Sequence, residues 1–241
     1  MLNEINICDL LFIDIETVPQ CKSFGEMTGK MQALWDKKSN YFREEGESGE
    51  DVYSRAGIYA EFGKIICISA GIVSFSKNEY RMRIKSYYGD DEKLLLSDFC
   101  TMLEHFAANK RSVFLCAHNG KEFDFPYISR RLLINGLKLP AVFDNSGKKP
   151  WEIAHLDTME LWKFGDYKHY TSLDLLATIF DIPSPKNDMD GSMVADVYWK
   201  EGDTARIVEY CQNDVQATAQ LFMRYKGMDL IKPENIDIVK E

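Results

Sequence analysis

Acidic side chains stand inside or beside three apolar segments that are far apart along the chain. Asp14 and Glu16 lie in LLFIDIETVP, Asp124 lies in HNGKEFDFPYI, and Tyr210 and Asp214 lie in EYCQNDVQATAQLF. A carboxylate in an apolar setting is costly unless a cation or a hydrogen-bond donor compensates its charge. Any fold of this chain must supply that compensation three times, and we expect the acids to converge on metal ions.

The size and composition of the chain favour one α/β domain over residues 1–241. The 241 residues are 45% hydrophobic and 12% aromatic, which is enough for a substantial core. No apolar run approaches the roughly 20 residues that cross a bilayer. The beginning, MLNEINICDLLF, lacks the basic and cleavable apolar parts of a signal peptide. We therefore expect a cytoplasmic protein without membrane association.

Charge and cysteine content narrow the possible partners. The net charge of −9 disfavours tight, extended binding to a nucleic-acid duplex, which usually needs a basic surface. It is compatible with a metal site that grips one strand end, because bound cations reverse the sign of the local field. The cysteines show no zinc-like spacing and are expected to be reduced core thiols. They are Cys8, Cys21, Cys67, Cys100, Cys116 and Cys211.

The order of predicted elements favours a central mixed sheet of five strands flanked by helices. Strands are predicted in DLLFIDIE, in the hairpin formed by KIICISAGIVSF and EYRMRIKSYYG, in RSVFLCAHNG, and around residues 152–157. Helices are predicted in EKLLLSDFCTMLEHFA, FPYISRRLLINGL, SLDLLATIFDI, SMVADVYWK and DTARIVEYCQNDVQATAQLFMRYKG. Residues 20–60 form a polar insertion with a helix around MQALW, and the tail IKPENIDIVKE is expected to be peripheral.

The first acidic pair lies on one face of its strand. Asp14 and Glu16 are two residues apart, so their side chains project to the same side, while Ile13 and Ile15 point the other way into packing. Two neighbouring acids on an apolar strand repel each other unless a cation lies between them. The alternative is a polar strand end without any ligand.

The other two acidic segments are also ambiguous when each is taken alone. Asp124 precedes Phe125 and Pro126, which is typical of a helix N-cap as well as of a ligand. Tyr210 and Asp214 are four residues apart on a predicted helix and therefore share one face. Their alternative is a structural hydrogen-bonded pair.

Taken in order, the three segments resemble the motifs of a known enzyme family. Asp-Ile-Glu at residues 14–16, NxxxFD at residues 119–124 and YxxxD at residues 210–214 are similar to the three motifs of DEDDy-type DnaQ-like 3′–5′ exonucleases. Among these, the chain resembles the free-standing predicted exonucleases that are similar to the proofreading domain of family-B DNA polymerases. The resemblance covers about residues 9–226 and implies an α/β, ribonuclease H-like fold.

The resemblance implies a site for two divalent cations, Mg²⁺ or Mn²⁺. Asp14, Glu16 and Asp214 would hold the first ion, and Asp14 and Asp124 the second. Tyr210 would orient the attacking water, since a tyrosine with an ordinary pKa near 10 is a weak base. The histidine branch of the family has its histidine five residues before the last aspartate, where this chain has Glu209. None of the four histidines needs a catalytic role, and His118 beside Asn119 is the one kept in reserve.

Substrate contacts are implied by the same resemblance. Asn119 would contact the terminal nucleotides, and Thr17 and Val18 would lie beside the 3′ end. Lys186, in the loop SPKNDMDGSMV, would meet a phosphate. The alternative for that loop is a solvated turn, since its residue types mark turns generally.

The leading interpretation is a metal-dependent 3′–5′ exonuclease that acts on nucleic acid with a single-stranded 3′ end and releases nucleoside monophosphates. DNA is favoured by the polymerase-like motifs, and a 3′–5′ exoribonuclease is the alternative. A non-catalytic nucleic-acid-binding scaffold is a second alternative, because fold does not guarantee function. A nuclease that cuts internally is a third, which the helix bearing Tyr210 and Asp214 disfavours.

Overall fold

A computed structural model describes residues 2–108, 113–166, 170–183 and 189–239. One sheet of six strands occupies its centre, in the order β5-β4-β1-β2-β3-β6. The strands are β1 (Leu10–Pro19), β2 (Gly63–Ser76), β3 (Glu79–Tyr88), β4 (Phe114–Ala117), β5 (Leu156–Asp157) and β6 (Ile236–Ile238). The central three are antiparallel, while β4, β5 and β6 join in parallel, so the sheet is mixed as predicted.

The predicted hairpin is present and has a tight turn. Ser76 pairs with Glu79, which leaves Lys77 and Asn78 as the two turn residues. Both have positive φ angles, 53° and 61°. This backbone shape matches the right-handed twist of paired strands, which explains how the longest strands of the sheet reverse direction in two residues.

Helices cover both faces of the sheet. They are α1 (Gly29–Ser39), α2 (Glu92–Ala108), α3 (Asp124–Ile134), α4 (Thr158–Lys163), α5 (Leu173–Ile179), α6 (Val194–Asp196) and α7 (Thr204–Tyr225). A single π-helical stretch, Val197–Glu201, continues α6. A 3-10 helix, Tyr53–Ile58, ends shortly before β2.

Alternation along β1 assigns its side chains to two separate cores. Leu11, Ile13 and Ile15 pack in the core that α2 and α3 cover. Leu10 and Phe12 pack in the opposite core, against residues of α7. Because side chains alternate along a strand, Asp14 and Glu16 continue the face of Leu10 and Phe12 toward α7. The sequence prediction for Ile13 and Ile15 is confirmed.

The segment of residues 20–60 contains the predicted helix, α1, and a run near residues 43–48 that is mostly exposed. Although its composition is polar, this segment contributes to a separate hydrophobic cluster around the fully buried Trp35. Tyr53 and Phe62 are among the members of that cluster. Hydrogen bonds fix this segment to α3. The Tyr127 hydroxyl donates to the Gly57 carbonyl at 2.7 Å, and Arg131 Nη1 donates to the Ala60 carbonyl at 2.8 Å.

The structure departs from the sequence predictions at two elements. The tail was expected to be peripheral, but β6 pairs with β3 and adds a sixth strand where five were predicted. The strand predicted around residues 152–157 is reduced to Leu156–Asp157, because Pro150–Glu152 forms a 3-10 turn instead. The six cysteines are thiols and not disulfides, as expected. Within the described ranges, no helix combines the length and apolar character needed to span a membrane.

Candidate active site

The end of β1 is open on one side, which exposes the first acidic pair to a cleft. Pairing with β4 stops at Phe12, opposite Cys116, so the backbone beyond it has no neighbouring strand on that side. On the other side, the register with β2 shifts between Glu16 and Thr17. An irregularity of this kind re-aims the side chains around it, and such irregularities are frequent near functional sites.

Asp124 closes the gap left by β4. Its Oδ1 accepts a hydrogen bond from the Ile15 backbone N–H at 3.1 Å, across 109 positions of sequence. Asp124 is the first residue of α3, and Phe123 occupies the N-cap position without a side-chain capping bond. The capping alternative for Asp124 is therefore not what the structure shows. One carboxylate oxygen ties the second motif to the first, and this leaves the other for a ligand.

Helix α7 brings the third motif to the same place. The Tyr210 hydroxyl lies close enough to the carboxylate of Asp214, one turn further along the helix, for the two groups to affect each other's pKa. Between them, Cys211 is buried and its thiol donates to the Asp14 carbonyl at 3.4 Å. The helix therefore lies directly against the part of β1 that carries Asp14.

These elements surround one cleft of about 1000 Å³. Seven of the predicted site residues line it: Asp14, Glu16, Thr17, Asn119, Asp124, Tyr210 and Asp214. Val18 does not, since its side chain is 0% exposed and packs in the core with Ile66 and Cys67. That Val18 lies beside a 3′ end stays a prediction. Lys186 lies outside the described residues.

The electrostatics of the cleft are those of acids that are crowded together and buried. Burial, followed by repulsion from neighbouring carboxylates, raises the pKa of Asp14 and of Glu16 well above their ordinary values. Burial raises the pKa of Asp124 to about 8 and that of Asp214 to about 6. Burial also raises the pKa of Tyr210 far above its ordinary value, so its hydroxyl keeps its proton.

The donor set fits hard divalent cations. Asp14 Oδ2 is buried and has no hydrogen-bond partner among the described residues, and such an orphaned oxygen is costly unless an ion compensates it. Ligand atoms of Asp14, Glu16 and Cys211 lie within 4.8 Å of one another. Burial raises the pKa of the Cys211 thiol, which keeps it protonated and leaves the carboxylates as ligands. Oxygen ligands are those that Mg²⁺ prefers, and Mn²⁺ also suits them.

Asp157 is a positioning residue that sequence reasoning missed. It is 2% exposed and precedes α4, where it accepts hydrogen bonds from the backbone of Met159 and Glu160. Its carboxylate also accepts from the backbone N–H groups of Asn119 and Lys121, at 3.0 and 3.1 Å. Its place before TMELWK signals a helix cap, but nothing local signals that the same side chain also holds the turn of the second motif.

Two amide side chains face the cleft with unused atoms. Asn119 has a φ of 64°, a left-handed conformation that asparagine tolerates, and its buried Oδ1 has no partner in the described part of the chain. Nδ2 of Asn213 is also buried and has no partner in the described part of the chain. Sequence reasoning missed Asn213, although it is next to Asp214. One acceptor and one donor are therefore available to a ligand.

His118 lines the cleft, but both of its ring nitrogens form hydrogen bonds within the protein. Its Nε2 donates to the Thr171 carbonyl and its Nδ1 is hydrogen-bonded to the Thr158 hydroxyl, both at 2.9 Å. Burial lowers the pKa of His118, which favours the neutral ring. Tyr170, whose ring is 65% exposed at the same cleft, was not among the predicted site residues.

Comparisons with known proteins agree with this geometry. A sequence model of the family described as a predicted 3′–5′ exonuclease related to the exonuclease domain of PolB matches residues 58–234. The match contains Asp124, Tyr210 and Asp214 and begins after the segment with Asp14 and Glu16. Among curated proteins, no sequence is significantly similar.

The fold is similar to that of a family B DNA polymerase from the hyperthermophilic archaeon Pyrobaculum calidifontis. The two structures superpose with a TM-score of 0.52 at 15% sequence identity, over 90% of this chain and 24% of the polymerase. The chain thus spans about a quarter of that protein's length. The likeness confirms the predicted ribonuclease H-like fold.

Proposed function

Because the chain belongs to the family of predicted 3′–5′ exonucleases related to the exonuclease domain of PolB, we propose that it is a metal-dependent nuclease. It hydrolyses the terminal phosphodiester at the 3′ end of single-stranded nucleic acid, with DNA favoured, and releases nucleoside monophosphates. The observation that carries this proposal is the buried, orphaned oxygen of Asp14 in a cleft where Glu16, Asp124 and Asp214 form no ion pair with any residue that the structure describes.

The carboxylates divide into two ligand sets around Asp14. Asp14, Glu16 and Asp214 would hold one divalent cation, and Asp14 and Asp124 the second. When bound, two such ions stabilise the attacking and the leaving oxygen of an in-line displacement. Asp124 is already held by Ile15 through one oxygen, so its free oxygen is directed without further rearrangement.

Tyr210 positions the attacking water. Its hydroxyl is protonated and lies beside Asp214, so it acts as a donor or a guide and not as a strong base. With the Asp214 carboxylate holding a cation, the Tyr210 hydroxyl would be free to orient a water molecule in the cleft. The unused amide atoms of Asn119 and Asn213 hold the terminal nucleotide, and the exposed ring of Tyr170 offers a stacking surface to a base.

The test uses matched DNA and RNA oligonucleotides that carry a label at the 5′ end. With Mg²⁺ or Mn²⁺, the wild-type protein should shorten a linear strand stepwise and leave a circular one intact. Asp14→Ala should lower the rate at least about a thousandfold, because both ligand sets lose a member. Substitution of one strand type for the other identifies DNA or RNA as the substrate.

Three results would contradict the proposal. A wild-type protein that leaves both linear strands intact with either metal favours the non-catalytic scaffold. A circular strand that is cut as fast as a linear one favours internal cleavage. Equal rates for wild type and Asp14→Ala point to a contaminating nuclease.

A further inference from the structure

The cleft has a strongly one-sided charge. Six of the described residues that line it are acidic: Asp14, Glu16, Asp124, Asp174, Asp190 and Asp214. Among its described lining residues, Arg55 carries the one permanent positive charge, since burial keeps His118 neutral. Ionised acids in this cleft repel a polyanionic strand, whereas bound metal and Arg55 attract it.

Arg55 is available to a ligand and is partly preorganised. It lies in the 3-10 helix Tyr53–Ile58, is exposed, and forms no ion pair with any acid that the structure describes. Its guanidinium lies 4.3 Å from the centre of the Phe42 ring. Stacking of this kind fixes the plane of the guanidinium and leaves its N–H edge for a planar or tetrahedral oxyanion.

The turn that carries Arg55 is anchored next to the acids. A Cβ added to Gly57 would lie 3.0 Å from the Val18 carbonyl carbon and 3.1 Å from the Pro19 nitrogen, which is tighter than most Cβ contacts, so this turn lies close against the backbone of β1. The bond from Tyr127 to the Gly57 carbonyl fixes it from the other side. Arg55 therefore lies in a turn that packs on the end of β1, directly after Asp14 and Glu16.

We propose that Arg55 binds a backbone phosphate of the single strand, upstream of the phosphodiester that is cleaved. This inference rests on the proposed function and adds a substrate-binding role for the segment of residues 20–60. The family match begins at residue 58 and does not contain Arg55. Arginine suits phosphate because its fork of N–H groups makes paired charge-assisted hydrogen bonds. Arg55 is a positioning residue, since it does not touch the reacting phosphate.

The experiment separates binding of a strand from chemistry at its end. Arg55→Gln and the wild type are compared on a single strand of about ten nucleotides. The KM should rise about fivefold with kcat nearly unchanged, and the slope of log(kcat/KM) against log salt should become shallower by about 0.7, the value for one phosphate of a single strand. Hydrolysis of the p-nitrophenyl ester of thymidine 5′-monophosphate, which has no upstream phosphate, should be unchanged.

Lys38→Gln is the matched control. Lys38 belongs to the same segment and lies over the rings of Tyr41 and Tyr59, but it does not line the cleft. Its loss should leave KM and the salt slope at wild-type values, whereas Arg55→Lys should recover part of the lost affinity. Anisotropy with a fluorescent strand, in Ca²⁺ to slow hydrolysis, measures the same affinities independently of turnover.

The outcomes are distinguishable from those of the proposed function. If the wild type shortens strands but Arg55→Gln keeps its KM, affinity and salt slope, the role of Arg55 is refuted. If Arg55→Gln slows the nitrophenyl ester as much as the strand, Arg55 supports the fold and does not bind phosphate. If the wild type shortens no strand, the exonuclease proposal fails, and equal anisotropy for wild type and Arg55→Gln then also refutes the phosphate site.

Discussion

Two buried glutamates of this protein have nearly the same exposure and opposite surroundings. Glu92 is 7% exposed and Glu16 is 6% exposed. The Glu92 carboxylate is paired with the Arg131 guanidinium and accepts hydrogen bonds from the Ile65 backbone at 2.7 Å and from Asn135 at 2.9 Å. Glu16 forms no ion pair with a cation of the described chain, and its nearest charged neighbours include other acids.

The difference separates a charge that stabilises the fold from one that we propose to bind a ligand. A buried ion is tolerated when the protein supplies its counterion, as Arg131 does for Glu92, which joins β2, α2 and α3. A buried carboxylate whose counterion is missing raises its own pKa and stays uncompensated until something binds. The arrangement around Glu16 is therefore informative about ligands, and that around Glu92 is informative about stability.

The largest expected effect tests the functional member of the pair. Glu16→Gln should lower nuclease activity about a thousandfold or more, because one metal ligand is lost. It should not lower the free energy of unfolding in EDTA, since it also removes repulsion with Asp14. Nucleotide release and urea unfolding measure the two quantities. A Glu16→Gln variant that loses stability but keeps its activity would contradict the difference drawn between Glu16 and Glu92.

The structural member should respond in the opposite way. Glu92→Gln leaves the Arg131 guanidinium buried without a counterion, which should cost about 4 kcal/mol of unfolding free energy. Activity per folded molecule should stay near the wild-type value, as Glu92 does not line the cleft. Urea unfolding monitored by tryptophan fluorescence checks the first statement. An unchanged midpoint would show that the buried pair contributes nothing to stability.

The pH dependence of stability in EDTA should show that the carboxylates of the cleft have no counterion within the protein. The pKa of Asp124 is about 8 and that of Asp214 about 6, both above the ordinary 3.8. Between the ordinary pKa and its raised pKa, each carboxyl holds in the folded state a proton that it has lost in the unfolded state. Stability in EDTA is therefore highest near pH 4 and falls as the pH rises to 8. The fall should be about 3 kcal/mol for Asp214, at about 1.4 kcal/mol per unit.

Saturating Mn²⁺ should remove this slope above pH 6, because the ion replaces the protons. Asp124→Asn should flatten the upper part of the EDTA curve and leave the part near pH 6. Thermal melts across the pH range provide the measurement. Stability that rises with pH in EDTA would show that these acids are already compensated.

The smallest effect concerns Tyr210, which contacts an acid but holds no ion. Tyr210→Phe should lower kcat about tenfold, as expected for loss of a group that orients water. The Mn²⁺ concentration for half-maximal activity should change little, and the phenylalanine ring preserves the packing against α6 and β2. A drop as large as that of Glu16→Gln would mean that the hydroxyl takes a direct part in proton transfer.

Sequence reasoning succeeded where a local rule fixes geometry. Alternation along β1 placed Asp14 and Glu16 on one face, and helical spacing placed Tyr210 and Asp214 one turn apart. The hairpin followed from two alternating runs around a short turn. The meeting of β1, α3 and α7 did not follow from any local rule; it was expected from the cost of burying three acidic segments and from the resemblance.

The features that sequence reasoning did not foresee arise from contacts between distant parts of the chain. The side chain of Val18 continues the face of Asp14 and Glu16, but the packing of α6 and α7 buries it, and no pattern in LLFIDIETVP shows where the cleft ends. Asp157 looks like an ordinary helix cap until its contacts with Asn119 and Lys121 are seen. The cluster around Trp35 assembles from aromatic residues that polar sequence separates.

The hydrogen bond from Ile15 to Asp124, and the helix that carries Asp214, also bear on when the proposed site is complete. Asp14 leaves the ribosome two hundred residues before Asp214. A growing chain therefore carries its first acids long before α7 can dock against them. The four acids can meet only after α7 has left the exit tunnel, so a nuclease of the proposed kind would be inactive throughout its own synthesis.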